Sequence, residues 1–308
     1  MSMIKVGCCG FPTSMKRYFE TFKLVELNST FYEYPRLETV RGWRERALEG
    51  FEFTVKVHQD VTHGAKMKVC DASLDGFRRM KEICAILDAK VLLFQTPGSF
   101  RADGLEDAAK LFRRVKHEGE LEDLVFVWET RGPSWETAEA REKLGAVLAE
   151  LNVVHVVDPL RLLPAYVSDV AYFRLHGLGK RMYYYQYCDD ELRRLADIVK
   201  SYDVGGRSVY VLFNNLAMLE DSRRFLEFLA RGRFPRLTAG VGVDSVREVL
   251  AKVRFPVSKN VLMNRFGWRL VEIGGGRQVR LDSVLDGLPQ KSFESLDELL
   301  IGVKERVK

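Results

Sequence analysis

Long apolar runs, low-complexity segments and secretion signals are all lacking in this chain of 308 residues. No stretch reaches the roughly 18 uninterrupted apolar residues that a membrane-spanning helix needs. The amino-terminal string MSMIKVGCCGF enters an apolar strand without the basic stretch, long apolar core and cleavage site of a signal peptide. We therefore expect a cytoplasmic protein with no membrane partner.

Cysteine is sparse and shows neither a metal nor a disulfide pattern. The chain has five cysteines, an odd number, and none of them forms a CxxC pair. Disulfide frameworks use even numbers and structural zinc sites use paired cysteines, so neither is predicted. We expect the cysteines, including the adjacent Cys8 and Cys9, to be small buried residues.

Charge of one sign is not in large excess. The 48 Lys and Arg residues stand against 43 Asp and Glu residues, for a formal net charge of +5. Such a mixed surface does not predict a nucleic-acid-binding domain, whose basic residues concentrate on one face. The small positive excess still permits an anionic partner.

Eight short apolar runs alternate with segments of helical period, and this alternation predicts the fold. The runs cover residues 4–9, 24–28, 51–57, 91–95, 125–129, 153–157, 170–175 and 209–213. The helical segments cover residues 37–48, 74–87, 105–115, 138–151, 191–199 and 219–229. Repeated strand and helix units imply parallel strands with right-handed crossovers, so we predict an α/β fold, a (β/α)8 TIM-barrel-like domain. Residues 158–169 are too few for a normal crossover helix, and we predict an irregular turn there.

The strands end in residues that are polar on one face and apolar on the other. In VAYFRLHG, alternation along a strand places Tyr172, Arg174 and His176 on one face and the apolar Ala171, Phe173 and Leu175 on the other. The string LVFVWETR repeats this pattern with Glu129 and Arg131. Active sites of TIM barrels lie at the carboxyl ends of the strands, so we expect these side chains to converge there.

The same rule selects further inward-facing polar residues near the strand ends. They are Glu26, Asn28, Lys56, His58, Gln95, Asp158 and Asn214. Ordinary hydrogen bonding inside the barrel explains Glu26, Gln95 and Asn214 equally well. Several charges around one opening are hard to explain by packing alone, so we favour a functional role for the others that carry charge. They are Lys56, Glu129, Arg131, Arg174 and His176.

Six strings occur in a fixed order: LVELNSTFYEYPRLETVRGW, FEFTVKVHQDVTH, LFQTPGSF, ETRGPSW, YFRLHG and FNN. In order and spacing they resemble the YecE-like proteins called domain of unknown function 72, over about residues 4–230. The resemblance implies a TIM-barrel-like fold without an established activity. It implies shared positions at Asn28, Ser29, Thr30, Tyr32, Lys56, His63, Gln95, Glu129, Arg131, Trp135, Arg174, His176, Asn214 and Asn215.

The chain departs from that family at two places. Gly132 follows Arg131 where the family commonly has a histidine, and Cys8 and Cys9 replace its usual Thr-Ser pair. If the missing histidine were a catalytic base, this member would be impaired.

A basic linker rich in Gly and Pro, RGRFPRLTAG, divides the chain. We predict a TIM-barrel-like domain over residues 1–233, able to fold alone, and a small C-terminal domain over residues 241–308. Helix caps and a hairpin pattern in the latter are compatible with winged-helix order. The string FPVSKNVLMNRFG with LDGLPQKSFESLDELL weakly resembles domain of unknown function 2795, which implies a helical unit. A packing or oligomerisation appendage is the alternative.

The charged strand ends favour a ligand that carries phosphate or carboxylate. Arginine binds such anions through two parallel hydrogen bonds, and we expect Lys56, Arg131 and Arg174 to form a positive pocket instead of separate salt bridges. Phosphoester hydrolysis is the reaction that this set favours. Its predicted catalytic residues are Glu129, His176 and Asp158, and its predicted substrate-binding residues are Lys56, Arg131, Arg174, Asn28, Gln95, Asn214 and Tyr184.

Two alternatives stay open. A metal-dependent hydrolase would recruit Glu129, Asp158, His63 and His176, but the cofactor is unknown from the sequence and a divalent metal is not favoured. A binding module without catalysis would use GKRMYYYQY, whose Lys, Arg and Tyr side chains can hold phosphates and stack on bases. A rigid aromatic lid packed on the barrel rim explains that string as well. The predicted partner is thus a phosphate-bearing small molecule or a nucleic acid, and the oligomeric state is unknown.

Overall fold

A computed structural model describes residues 3–117 and 124–307. Its residues group into two compact units, each of which we describe by itself. The barrel unit comprises Met1–Leu175 and Asp197–Asn214, and the C-terminal unit comprises His176–Ala196 and Asn215–Lys308. The predicted division into residues 1–233 and 241–308 stays a prediction.

Eight parallel strands form the sheet of the barrel unit. They are β1 Ile4–Cys9, β2 Leu24–Leu27, β3 Glu52–Lys56, β4 Val91–Gln95, β5 Val125–Glu129, β6 Val154–Val156, β7 Val170–Leu175 and β8 Ser208–Phe213. Hydrogen-bonded neighbours follow the order β6-β5-β4-β3-β2-β1-β8-β7. The two ends meet at a parallel bridge between Val157 and Phe173, where Arg174 N donates to Val157 O at 3.0 Å. The sheet thereby closes into a barrel, which confirms the predicted fold.

Within the described residues, seven helices accompany these strands. They are α1 Met15–Thr21, α2 Leu37–Arg46, α3 Asp71–Leu87, α4 Leu105–Lys116, α5 Ala138–Leu151, α6 Asp189–Tyr202 and α7 Met218–Arg231. All but α1 were expected from the helical period. Residues 158–169, between β6 and β7, contain turns and no helix, which confirms the irregular connection.

Alternation along the strands separates two kinds of core. Trp128 and Phe94 face outward and pack on Phe112 of α4, with ring centroids 5.6 Å and 4.9 Å away. The inward residues, such as Leu93 and Val127, form a separate cluster inside the barrel. Burying a side chain of this size stabilises a fold by about 1.5–3 kcal/mol. A strand shifted by one residue would turn these side chains to the wrong face and lose that free energy. The inward and outward sets therefore follow the predicted parity.

The C-terminal unit has its own apolar core. Its later elements are α8 Val243–Leu250, β9 Val257–Ser258, α9 Lys259–Phe266, β10 Leu270–Ile273, β11 Arg277–Arg280, α10 Leu281–Leu285, β12 Ser292–Phe293 and α11 Leu296–Val303. Strands β10 and β11 form an antiparallel hairpin. Fully buried Val246, Leu262, Val271 and Leu299 pack together in this core.

The hairpin also holds the segment that follows β7, within the same unit. Leu270 N donates to Gln186 Oε1 at 2.9 Å, and Asp189 N donates to Gln278 Oε1 at 2.8 Å. The Arg280 guanidinium lies 3.9 Å from the centroid of the Tyr185 ring. The tyrosine-rich string GKRMYYYQY therefore contributes to the packing of the C-terminal unit.

None of the five cysteines forms a disulfide. Cys8, Cys9 and Cys84 are buried as predicted, but the prediction is wrong for Cys70, which is exposed, and for Cys188, which is only partly buried. Among the described residues, no helix combines the length and apolar character needed to span a membrane.

Candidate active site

Five charged side chains meet at the carboxyl end of the barrel, and we call them the mouth cluster. They are Glu26 of β2, Lys56 of β3, Glu129 of β5, Arg131 just after β5 and Arg174 of β7. Strand parity turns each of them inward, and parallel pairing puts all the strand ends at one edge. The predicted convergence of Lys56, Glu129 and Arg174 is thus confirmed.

Arg174 is the buried centre of this cluster. Its Nε and Nη2 donate to the two carboxylate oxygens of Glu26, each at 2.9 Å, and its Nη1 donates to Glu129 Oε2. Arg174 is only 1% exposed and Glu26 is fully buried. A charge buried this deeply requires partners of opposite sign. Removing one member of the pair would leave the other as a buried charge without a counter-charge. Arg174 therefore positions the two carboxylates.

The expectation of a positive pocket free of salt bridges is wrong for both arginines. Arg131 Nε donates to Glu129 Oε1 at 2.8 Å, so Glu129 bridges Arg131 and Arg174. Two inward carboxylates on β2 and β5 are close enough to neutralise both guanidinium groups. An anion could bind Arg174 directly only by displacing one of them.

A chain of hydrogen bonds supports Glu26 from inside the barrel. Tyr172 OH donates to Glu26 Oε2 at 2.9 Å, and the Thr54 hydroxyl, 2.7 Å from the Tyr172 oxygen, donates to it in turn. Burial, and then the charge of Glu26, raise the pKa of Tyr172 well above its ordinary value. Tyr172 therefore keeps its proton and fixes the orientation of Glu26.

Lys56 is the surplus charge of the mouth cluster. Two carboxylates balance two guanidinium groups, and in the described part of the chain the Lys56 ammonium makes no ion pair or hydrogen bond. Its Nζ lies 3.9 Å from the centroid of the Phe31 ring. Burial, and then the positive charge of Arg174, lower the pKa of Lys56 to about 8. Lys56 can therefore give or take a proton near neutral pH.

His63 adjoins Lys56 through the same aromatic ring. The His63 and Phe31 ring centroids are 4.9 Å apart in an edge-to-face contact. Burial and the positive charges of Lys56 and Arg131 lower the pKa of His63. His63 lies in a one-turn π-helix, Asp60–Gly64, an irregular element that often occurs at functional sites. A neutral imidazole thus stands beside the cationic Lys56 at neutral pH.

Four other predicted residues lie at or just past the strand ends. The Gln95 amide donates to Thr96 O at 2.8 Å, and Asp158 Oδ1 accepts from Leu160 N at 3.1 Å. These bonds to local backbone give both residues a structural task. Asn28 and Asn214 are partly exposed at the ends of β2 and β8.

His176 and Tyr184 belong to the C-terminal unit. The His176 ring lies 5.7 Å from that of Tyr183, and the Arg181 guanidinium covers the Tyr184 ring at 3.2 Å. Their proposed catalytic and binding roles stay predictions. Tyr185, like Tyr187, is buried, so these two tyrosines are not available to stack on bases.

No metal-binding set is evident in residues 3–117 and 124–307, where no three His, Cys, Asp or Glu side chains are grouped to hold an ion.

A further buried histidine, His155, has a structural role. Its Nε2 pairs with Thr130 Oγ1 at 3.1 Å, and its Nδ1 accepts from Ala165 N at 3.0 Å. Burial lowers the pKa of His155 to about 4, so it stays neutral.

Gly132, at the position where the resemblance implies a histidine, lies in a backbone conformation that favours glycine. Its φ is 101° and its ψ 158°. A Cβ at this position would lie 2.8 Å from Gly98 O. A histidine therefore cannot occupy this backbone path without a shift of the loops that follow β4 and β5.

Strand parity predicts that Glu26 and Tyr172 face inward, although neither is among the predicted site residues, and no sequence pattern predicts Phe31. Parity was a usable signal for Glu26 and Tyr172, because both alternate with apolar residues on their strands. Phe31 lies in the 3-10 turn Ser29–Phe31, where neither strand nor helix period applies.

The sequence matches the family described as "Protein of unknown function DUF72" over residues 10–236. It is 37% identical over 59 residues to the UPF0759 protein YecE of Escherichia coli strain K12, which covers 19% of this chain and 22% of that protein. It is 24% identical over 246 residues to the UPF0759 protein YunF of Bacillus subtilis strain 168, which covers 70% of this chain and 86% of that protein. The chain thus aligns with less than a quarter of YecE but with most of YunF.

Solved structures share the fold. A DUF72 family protein from Enterococcus faecalis V583 has a TM-score of 0.59 at 22% identity, over 75% of this chain and 98% of that one. A xylose isomerase domain containing protein from Salmonella typhimurium LT2 has a TM-score of 0.53 at 13% identity, over 75% and 98%. At such low identities these similarities show a common TIM-barrel-like architecture alone. The C-terminal resemblance to domain of unknown function 2795 stays a prediction.

Proposed function

Because this chain belongs to the DUF72 family, whose description assigns no reaction, we propose from the mouth cluster that it binds a phosphate-bearing small molecule at Lys56 and hydrolyses its phosphoester. The observation that carries the proposal is the surplus ammonium of Lys56. It stands at the carboxyl end of a barrel strand beside two carboxylates that are already neutralised. An anion at this position would complete the charge balance.

The neighbouring residues supply the remaining chemistry. Arg131, whose side chain is 21% exposed, lies beside Lys56 and adds positive potential where phosphate oxygens gain charge in the transition state. Neutral His63 takes a proton from the attacking water as its oxygen bonds to phosphorus. Lys56 gives a proton to the leaving oxygen as the ester P–O bond breaks. Glu129 orients Arg131, so its predicted role as a general acid or base is replaced by a positioning role.

A binding module without turnover is the second candidate function. The pairing of both arginines with carboxylates favours it. These ion pairs are electrically neutral and fixed in place, and the Lys56 ammonium beside them is sufficient to bind an anion. Binding and turnover are separated by measuring both on the same protein.

The first test combines thermal unfolding with hydrolysis of p-nitrophenyl phosphate and bis(p-nitrophenyl) phosphate. Phosphate should stabilise the wild type, by about 2.7 kcal/mol at a hundredfold excess over its dissociation constant. Lys56→Met should abolish both the stabilisation and the turnover. The matched control is Lys23→Met, because Lys23 is exposed just before β2, away from the carboxyl ends of the strands.

Binding should also weaken as the pH rises through about 8, where Lys56 loses its charge. Phosphate stabilisation that is equal in Lys56→Met and wild type would contradict the proposed site. Stabilisation without turnover of either ester would favour the binding module.

A further inference from the structure

A cavity of about 410 Å³ opens between the segments that follow β3 and β4. Its volume lies within the range of small-molecule sites, about 300–1,000 Å³. His63 lines this cavity and also contacts Phe31, the ring on which Lys56 rests. The cavity therefore adjoins the mouth cluster through His63.

The charge of the cavity is mainly positive. Lys66, Lys68 and Arg101 line it together with two acids, Asp103 and Asp107. Across the described ranges of the chain, the three cations form no salt bridge, although both acids line the same cavity. All three are exposed, so they are available to a ligand from solution.

The backbone that presents the two lysines is strained. Lys66 and Met67 have φ values of 50° and 58°, a left-handed conformation that residues with a Cβ adopt at a cost. The fully buried Met67 side chain and a bond of 3.1 Å from Met67 N to Val61 O hold this turn. Lys66 and Lys68 thus flank an anchored residue, and strain of this kind concentrates at ligand-binding segments.

An apolar wall completes the cavity. Pro97 and Phe100 contribute to it, and the Phe100 ring stacks on Trp135 with centroids 6.1 Å apart. A Cβ at Gly104 would lie 2.7 Å from Phe100 Cζ, so glycine there leaves room for this ring. Cations facing an apolar wall suit a phosphate that is joined to a sugar or a base.

We propose that this cavity binds the second phosphate group of a ligand whose first phosphate lies at Lys56, so that the substrate class is a nucleotide carrying two separated phosphates. The inference rests on the proposed function, because it takes Lys56 as the site of the first phosphate. Two positively charged subsites joined through His63 favour such a ligand over a simple monophosphate.

The test compares adenosine 3′,5′-bisphosphate with adenosine 5′-monophosphate by calorimetric titration. The wild type should bind the bisphosphate at least tenfold more tightly. The double variant Lys66→Asn/Lys68→Asn should lose that preference and keep its affinity for the monophosphate. Asparagine tolerates the left-handed backbone at position 66, so the turn should survive. Lys23→Asn/Arg46→Asn removes two exposed charges elsewhere and should keep the preference.

Three results would count against the inference or its premise. Equal affinities for the two nucleotides in the wild type overturn the cavity subsite and leave binding at Lys56 intact. A preference that survives in Lys66→Asn/Lys68→Asn overturns it as well. Unchanged binding of the monophosphate in Lys56→Met overturns the proposed function itself. Thermal unfolding of each variant without ligand shows whether it is folded.

Discussion

Lys56 and Lys259 are both buried, but their ammonium groups have different partners. Lys259 Nζ donates to the backbone oxygens of Asp286 and Leu288, the latter at 2.7 Å. Lys56 Nζ faces an aromatic ring and the positive charge of Arg174. A buried charge with hydrogen-bond acceptors stabilises a fold, whereas one without them costs free energy.

Replacing each lysine by methionine should therefore change stability in opposite directions. Lys56→Met should raise the free energy of unfolding at pH 7 by about 1–3 kcal/mol, because the folded state disfavours its charge. Lys259→Met should lower it by about 2 kcal/mol, because two carbonyl groups lose their donor. Urea denaturation at pH 7 measures both changes.

The pH dependence of stability shows whether the charge of Lys56 destabilises the folded protein. Its pKa falls from 10.5 in the unfolded chain to about 8 in the folded protein, so between these values the unfolded chain binds more protons. Wild-type stability should accordingly rise with pH over this window, and the advantage of Lys56→Met should shrink. A Lys56→Met protein that is less stable than the wild type at pH 7 would contradict the absence of a partner for this ammonium.

At the scale of elements, the loop after β5 depends on a glycine. Gly132→His should lower the free energy of unfolding by about 1–3 kcal/mol, since it forces a side chain into a left-handed backbone and against Gly98 O. Gly42→Ala is the control, because Gly42 lies inside α2 and a Cβ there meets no atom within 4 Å. It should raise stability by about 0.5–1 kcal/mol. If thermal unfolding showed Gly132→His to be neutral, a histidine would fit this loop without strain, contrary to the expectation.

The strands of the barrel were predictable because each is a short apolar run. Val91–Gln95 and Val125–Glu129 were found to the residue, since burial on both faces gives continuous apolar runs between polar ends. Helix α1 was missed for a physical reason. Its seven residues bury only the adjacent Tyr18 and Phe19, which leaves no three-to-four-residue period to detect.

The composition of the candidate site was predictable, but its pairing was not. Parity specifies that Arg174, Glu26 and Glu129 all face inward. It does not specify which strands lie opposite each other across a closed barrel. The distance between opposite strands decides that Arg174 donates to both carboxylates. The depressed pKa of Lys56 follows from the same arrangement, because the neutralised pairs leave its own burial and Arg174 as the leading influences.

At the scale of the whole chain, the C-terminal unit joins parts that are far apart in sequence. The segment after β7 and the hairpin β10–β11 share the contacts of Gln186, which accepts from Leu270 N and, through its backbone oxygen, from Arg280 Nη1 at 3.3 Å. Gln186 is 1% exposed. Its Nε2 donates to Glu220 Oε2 of α7 at 3.3 Å, so its Oε1 and backbone oxygen are the groups that the hairpin supplies with donors. The tail therefore contributes to the packing of a segment that precedes it by some eighty residues.

A protein truncated after residue 233 provides the test at this scale. It should retain the α/β circular dichroism spectrum, because all eight barrel strands precede the cut. It should melt at a lower temperature than the full chain, because truncation exposes Tyr185 and Gln186 and removes the donors to Gln186 Oε1 and to its backbone oxygen. Limited proteolysis should then cut within residues 177–191 first.

The point variant Gln186→Ala in the full chain should reproduce part of the destabilisation, since Leu270 N loses its acceptor. An unchanged melting temperature and protease pattern after truncation would show that the tail does not stabilise this segment.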